Sequence, residues 1–218
     1  MEEPPRQRPR PRIESLSDLV FGLALSIGAI ALVSNPPATS AGLYRDIATF
    51  TFNFVVLIST WLRYTRIMSV LPLETRRTML LNTVLLFTVT MEPFLFNILR
   101  SGNGAAPVSV PLFEAASSLY GIDLGAMTCI MGVFTLALAS EEKRLVPPEM
   151  TRQLRFESSV WLASAGIFLV SALPFFGRTY VGGVEVTGFS LREALWVLAV
   201  LVAWVGMVIG RRVEADES

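Results

Sequence analysis

Six apolar blocks, at about 16–34, 44–66, 77–99, 112–139, 156–176 and 190–210, take up most of this 218-residue chain. Each holds few or no charges. Each also approaches the roughly 20 residues that a helix rising about 1.5 Å per residue needs to cross about 30 Å of hydrocarbon. With 52% hydrophobic and 17% charged residues and a mean hydropathy of +0.55, the chain has more apolar surface than one soluble core can hide. The expected fold class is therefore an all-α membrane protein with six transmembrane helices per subunit and a single repeat unit.

The placement of Lys and Arg tests this count independently, because positive charge collects in cytoplasmic loops. Six spans put Arg6, Arg8, Arg10, Arg12, Arg63, Arg66, Arg76, Arg77, Lys143, Arg144, Arg152, Arg155, Arg211 and Arg212 on one side. Only Arg45, Arg100, Arg178 and Arg192 fall on the other, so the 18 basic residues split 14 to 4. Five or seven spans would scramble that asymmetry. The even count returns both termini to the cytoplasm, in a plasma membrane crossed several times. A basic N-terminus ahead of an apolar run also fits a signal peptide, with Thr39-Ser40-Ala41 near the cleavage point. That run is long for the apolar core of a signal, and its removal would leave five spans.

The charge-rich, Pro-rich residues 1–12 read as a disordered cytoplasmic tail, residues 13–212 as the six-helix transmembrane domain and 213–218 as a second cytoplasmic tail. Asn35-Pro36-Pro37 stops the first span, and Pro72 and Pro147-Pro148 mark later connections. Every loop is short, so whatever the chain does happens in the membrane.

Composition excludes several kinds of chemistry. The net charge is zero, so the basic residues report topology and make no case for nucleic acid. Cys129 is the single cysteine, so an intrachain disulfide and a CxxC metal site are both ruled out. With no histidine, imidazole triads, His-ligated metals and imidazole proton shuttles go as well. No enzyme activity and no cofactor are expected.

The first span, from Leu16 to Val33, carries the most information. At about 100° per residue, Leu23, Ile27 and Ile30 line up on one stripe, with Ser26 at its edge. Gly22 and Ala29 flank the stripe on one side; Ala24, Gly28 and Ala31 flank it on the other. Small residues on both flanks let neighbouring helices come close. The pattern fits an ordinary packing face, or copies of the helix gathered round an axis with a hydrophobic constriction inside.

Carboxylates inside spans are costly and are usually paired or functional. Asp18 projects about 140° away from Leu23 on a helical wheel, which suits pairing with Arg12 or Arg66. Glu92, next to Pro93, and Asp123 can each bind a cation or proton, or lie near the outer interface within reach of water or Arg100. Thr179-Tyr180-Val181-Gly182-Gly183 is a shuffled imitation of a potassium-filter motif, and the loop is too short for a pore helix. It reads as a turn.

Arg12-Ile13-Glu14-Ser15-Leu16-Ser17-Asp18 resembles the R-x-x-x-F-S-D signature of the transmembrane protein 175 family, the non-classical potassium channels, and in particular its prokaryotic members. Leu16 stands in place of the Phe. Trp61-Leu62-Arg63-Tyr64-Thr65-Arg66 is similar to the family's Trp, His pair and Arg at the end of span two, with Tyr64 and Thr65 where the histidines usually are. Leu81-Asn82 opening span three, its later Pro93, and Leu119-Tyr120 in span four are similar as well.

The resemblance implies a homotetramer in which the first helices line a central pore. It implies a hydrophobic gate at Leu23, with further apolar layers at Ile27 and Ile30, and a hydroxyl layer favouring potassium at Ser26. Arg12, Ser17, Asp18 and Arg66 would form a polar network at the cytoplasmic end. Partners would be the lipid bilayer, other copies of the chain and the permeant K+ ion. Beside this stands a secondary cation- or proton-coupled transporter using Glu92 or Asp123, and, with less in its favour, a membrane enzyme using carboxylate or Ser/Lys chemistry.

Overall fold

The computed structural model describes residues 12–34, 36–37, 39–71, 75–101, 110–140, 145–177, 180–181, 184–185 and 191–217. The expectations for residues 1–11, Pro72, Lys143, Arg144, Arg178, Thr179, Gly182 and Gly183 lie outside the described residues, as do the side chains of Arg12, Arg45, Arg100, Arg211 and Arg212.

Among the described residues there are six α-helices: α1 (Arg12–Ser34), α2 (Ser40–Met68), α3 (Arg76–Ser101), α4 (Val110–Leu138), α5 (Pro148–Ser171) and α6 (Leu191–Glu217). Each matches one apolar block. A 3-10 turn, Pro174–Phe176, follows α5. A two-residue pair of strands, β1 (Tyr180–Val181) and β2 (Val184–Glu185), pairs antiparallel before α6.

The helix boundaries follow local chemistry. Thr39 caps α2, its hydroxyl accepting from Gly42 N–H at 3.1 Å. Pro147 precedes α5 and Pro148 opens it, where the missing N–H costs nothing. Hydropathy alone puts the start of this span near 156, because the first two turns of α5 carry Arg152 and Arg155. Its end at Ser171 rather than near 176 follows from Pro174, which opens the separate 3-10 turn.

α1, α2, α3 and α4 each contain a stretch long and apolar enough to cross a membrane, at Ser15–Ser34, Ser40–Met68, Arg76–Leu99 and Pro111–Leu138. The charge-free part of α5, Ser158–Ser171, is shorter at 14 residues, or about 21 Å. Apolar Leu173–Phe176 extends it. In α6 the charge-free run is 17 residues, Ala194–Gly210.

α4 is the middle of the bundle, packed between α3 and α5, with α6 against α5; α1 packs on α2 and α3. The core runs through Phe21, Leu57, Leu85, Met131 and Phe134, all buried. Gly125 lets α4 and α5 approach: a Cβ there would sit 2.8 Å from the Leu169 side chain.

Candidate functional site

The two faces of α1 differ sharply in what they touch. Ser17, Phe21, Ala24 and Gly28, spaced 4-3-4, are buried against the rest of the subunit. Leu23, Ile27 and Ile30 point away from it and are 52%, 45% and 61% exposed. An apolar stripe that large faces lipid or another protein chain. Of the small residues flanking it, Ala24 and Gly28 are used inside the subunit, with Gly28 against Phe50 and Asn53. Gly22 faces open space.

Ser26 sits at the edge of the stripe, exposed, and its hydroxyl donates to the Gly22 carbonyl at 2.8 Å. The bond ties up the proton and leaves oxygen lone pairs facing outward.

The base of α1 is held by α2 and α3. Ser17 Oγ lies 2.7 Å from Tyr64 Oη, and Tyr64 donates to Asn82 Oδ1 at 2.8 Å. All three side chains are buried. Because the phenol proton goes to Asn82, the Ser17 hydroxyl donates to the phenol oxygen. Beside this chain, Trp61 Nε1 donates to Asp18 Oδ1 at 3.0 Å. Tyr64 therefore does structural work at a position where the sequence comparison expected a histidine. Trp61 and Asn82 stand in the motifs that carry the family resemblance, but a local motif does not specify which residues they meet across the bundle.

Arg63, expected on the cytoplasmic side at the end of span two, lies within α2. Its Nη2 pairs with Glu157 Oε2 at 2.7 Å and reaches Thr135 Oγ1 at 3.3 Å, and its guanidinium stacks 4.6 Å from the Trp161 ring centre. Arg192, counted as an outside charge, is buried at the start of α6. It donates to the Ser171 carbonyl at 2.9 Å, the Leu173 carbonyl at 3.3 Å and Ser117 Oγ, and pairs with Glu114 at 3.3 Å. It thereby fastens α4, the end of α5 and α6 together. Gly177 allows this arrangement, since a Cβ there would run into the Glu114 carboxylate.

A second polar group sits deep in the bundle. Glu92 on α3 is fully buried and accepts from Tyr120 Oη at 2.9 Å. Asn53 on α2 and Asp123 on α4 interact with it. Glu92 Oε2, Asp123 Oδ2 and Asn53 Oδ1 are buried without a hydrogen-bond partner. Tyr120 in turn packs edge-on against Trp196, at 5.0 Å between ring centres. Among the described residues no group of three or more His, Cys, Asp or Glu is placed to hold a metal ion.

The profile of the family described as the endosomal/lysosomal potassium channel TMEM175 matches residues 12–93. That stretch covers α1, α2 and α3 as far as Pro93, and so the whole Ser17–Tyr64–Asn82 base. No curated protein sequence matches the chain. Among solved structures, a lysosomal potassium-selective channel TMEM175 homolog from Chamaesiphon minutus is similar at 19% identity and a TM-score of 0.56, covering 89% of this chain and 96% of that one. A single-residue variant of the potassium channel MtTMEM175, crystallised with a nanobody–MBP fusion, is similar at 17% identity and a TM-score of 0.55, covering 99% and 100%. At these identities the likeness establishes the six-helix membrane fold. Over α1, α2 and most of α3 the chain is thus similar to the TMEM175 family, and as a whole it shares the fold of the two channel structures.

Proposed function

We propose that this protein is a potassium-preferring cation channel, a homotetramer in which α1 of each copy lines a central pore. The observation that carries the reading is the outward apolar stripe of Leu23, Ile27 and Ile30. It lies on the helix where the family match begins, opposite the face that anchors α1 to its own subunit. Four such stripes on one axis make a narrow, dewetting constriction that blocks ions until the side chains move. The exposed Ser26 hydroxyls form the polar layer of that pore and favour potassium. Arg12, Ser17, Asp18 and Arg66 form the polar cytoplasmic end, with Tyr64, Trp61 and Asn82 as its supports.

Ions pass without covalent chemistry, so the protein is a channel and not an enzyme, with K+ as the permeant ion and no resident cofactor. It sits in a prokaryotic plasma membrane with both termini cytoplasmic. Residues 13–212 form the channel domain, between cytoplasmic tails at 1–12 and 213–218. Recording single channels in planar bilayers tests this. Leu23→Ala raises the open probability or the conductance, and Leu23→Asn wets the constriction and changes K+ over Na+ selectivity. If both variants record like the parent, α1 does not line the pore.

A second reading, a cation- or proton-coupled transporter, has its own support in the unpartnered oxygens of Glu92 and Asp123. It requires saturable, solute-dependent uptake into vesicles that Glu92→Gln uncouples. Current that stays linear in ion concentration and is carried without solute supports the channel.

A further inference from the structure

A cavity of about 350 Å³ opens between α2, α4, α5 and α6, away from the outward stripe of α1. Along α2 its lining runs from Val55 to Arg66, a rise of about 16 Å at 1.5 Å per residue. That is close to half of a hydrocarbon core about 30 Å thick, or one leaflet. Val56, Leu124, Phe168, Val200 and Trp204 make its long walls apolar.

One end is different. Arg63 and Arg66, one helical turn apart, both line it, as does Trp161. Glu157, outside the lining, neutralises Arg63, and no acid is among the described residues that line the cavity, so this end keeps the positive charge of Arg66. The cavity thus offers positive charge at one end and a leaflet-deep apolar slot behind it.

We infer that this cavity is a binding site for an anionic phospholipid, whose phosphate accepts from the guanidinium groups of Arg66 and Arg63 and whose acyl chain lies along α2 between α4 and α6. A phosphate suits the end because its oxygens accept from several guanidinium N–H groups at once. Basic pockets between membrane helices hold lipid headgroups in this way. The slot's depth matches an acyl chain entering from the headgroup level.

The test is lipid retention by the full-length protein. The protein is reconstituted in vesicles of phosphatidylcholine and phosphatidylglycerol at equal proportions, extracted in mild detergent, and its bound lipids are read by native mass spectrometry. Phosphatidylglycerol is retained over phosphatidylcholine, and Arg66→Gln lowers that preference about fivefold, the effect of one basic residue at a membrane surface. Ala203→Phe, which fills the slot, removes retained lipid of both kinds. Arg63 is left unsubstituted because its pair with Glu157 also supports the fold. Equal retention of both lipids by the parent overturns the inference, as does a preference unmoved by Arg66→Gln. Oleate displacing phosphatidylglycerol at equal concentration assigns the site to a free carboxylate and overturns the phospholipid. A disulfide between copies in Ala203→Cys shows the slot covered by a second subunit and overturns it too.

Discussion

The hydroxyls of Ser17 and Tyr64 meet at 2.7 Å in the buried joint between α1 and α2. Tyr64 passes the chain of hydrogen bonds on to Asn82 of α3, so one phenol ties the base of the exposed helix to both of its neighbours. Tyr64→Phe keeps the ring that packs 5.7 Å from Phe21 but leaves Ser17 and Asn82 each short of a partner. The expected loss is about 1–3 kcal/mol, measured as a lowered thermal midpoint in detergent. Ser17→Ala combined with Tyr64→Phe costs less than the two single losses added, because both changes remove the same hydrogen bond. Strict additivity would mean the three side chains do not act as one chain.

The indole of Trp61 and the carboxylate of Asp18 separate charge from hydrogen bonding. Asp18→Asn preserves an oxygen for Trp61 Nε1, so it stays within about 1 kcal/mol of the parent, whereas Asp18→Ala and Trp61→Phe both remove the bond. Equal destabilisation by Asn and Ala at this position, followed by chemical or thermal unfolding, would show that the charge itself is what matters.

The role proposed for Ser26 rests on lone pairs that its bond to Gly22 leaves free. Ser26→Ala is expected to lower the K+ over Na+ permeability ratio while the channel still conducts, and Ser26→Thr to preserve it. Reversal potentials under bi-ionic conditions measure this directly. An unchanged ratio in the alanine variant places selectivity elsewhere.

Arg192 of α6 is buried, and its partners come from α4 and from the end of α5 and the residues just after it. Arg192→Met removes an ion pair to Glu114 and the donor to three carbonyls, those of Glu114, Ser171 and Leu173, at an expected cost of about 1–3 kcal/mol. Gly177→Ala, which pushes a methyl into the Glu114 carboxylate, should destabilise the same corner without removing any charge. Thermal unfolding of both variants, with the elution volume followed by size-exclusion chromatography, distinguishes a local corner from a general collapse. A parent-like midpoint for Arg192→Met would show that the clamp contributes little.

The readable part of this fold was the part set by the solvent. Blocks near 20 apolar residues have one low-cost backbone conformation in lipid, the helix that satisfies its own hydrogen bonds, so six blocks meant six helices. Proline and cap chemistry then placed the breaks, although α5 begins eight residues before its apolar block, at Pro148 instead of 156. The stripe of Leu23, Ile27 and Ile30 was legible as a stripe, because helical spacing is a local property. Whether it faced inward was not: the opposite face, Ser17, Phe21, Ala24 and Gly28, is about as free of charge, and either could have packed on the subunit.

Sequence alone therefore determined the solvent of this protein, its helix count and the position of its one most informative helix, since these depend on composition and on spacing within a single segment. Tertiary structure decided which face of α1 is left outward, that Tyr64 links its base to α3, and that Arg63 and Arg192 clamp one helix to others. It also brought Arg63 on α2 and Trp161 on α5 to the end of one cavity. The physical reason is range. Helix formation in lipid follows from neighbours a turn apart, whereas partners 47 or 94 residues away in sequence are chosen only when the packing of whole helices brings them together.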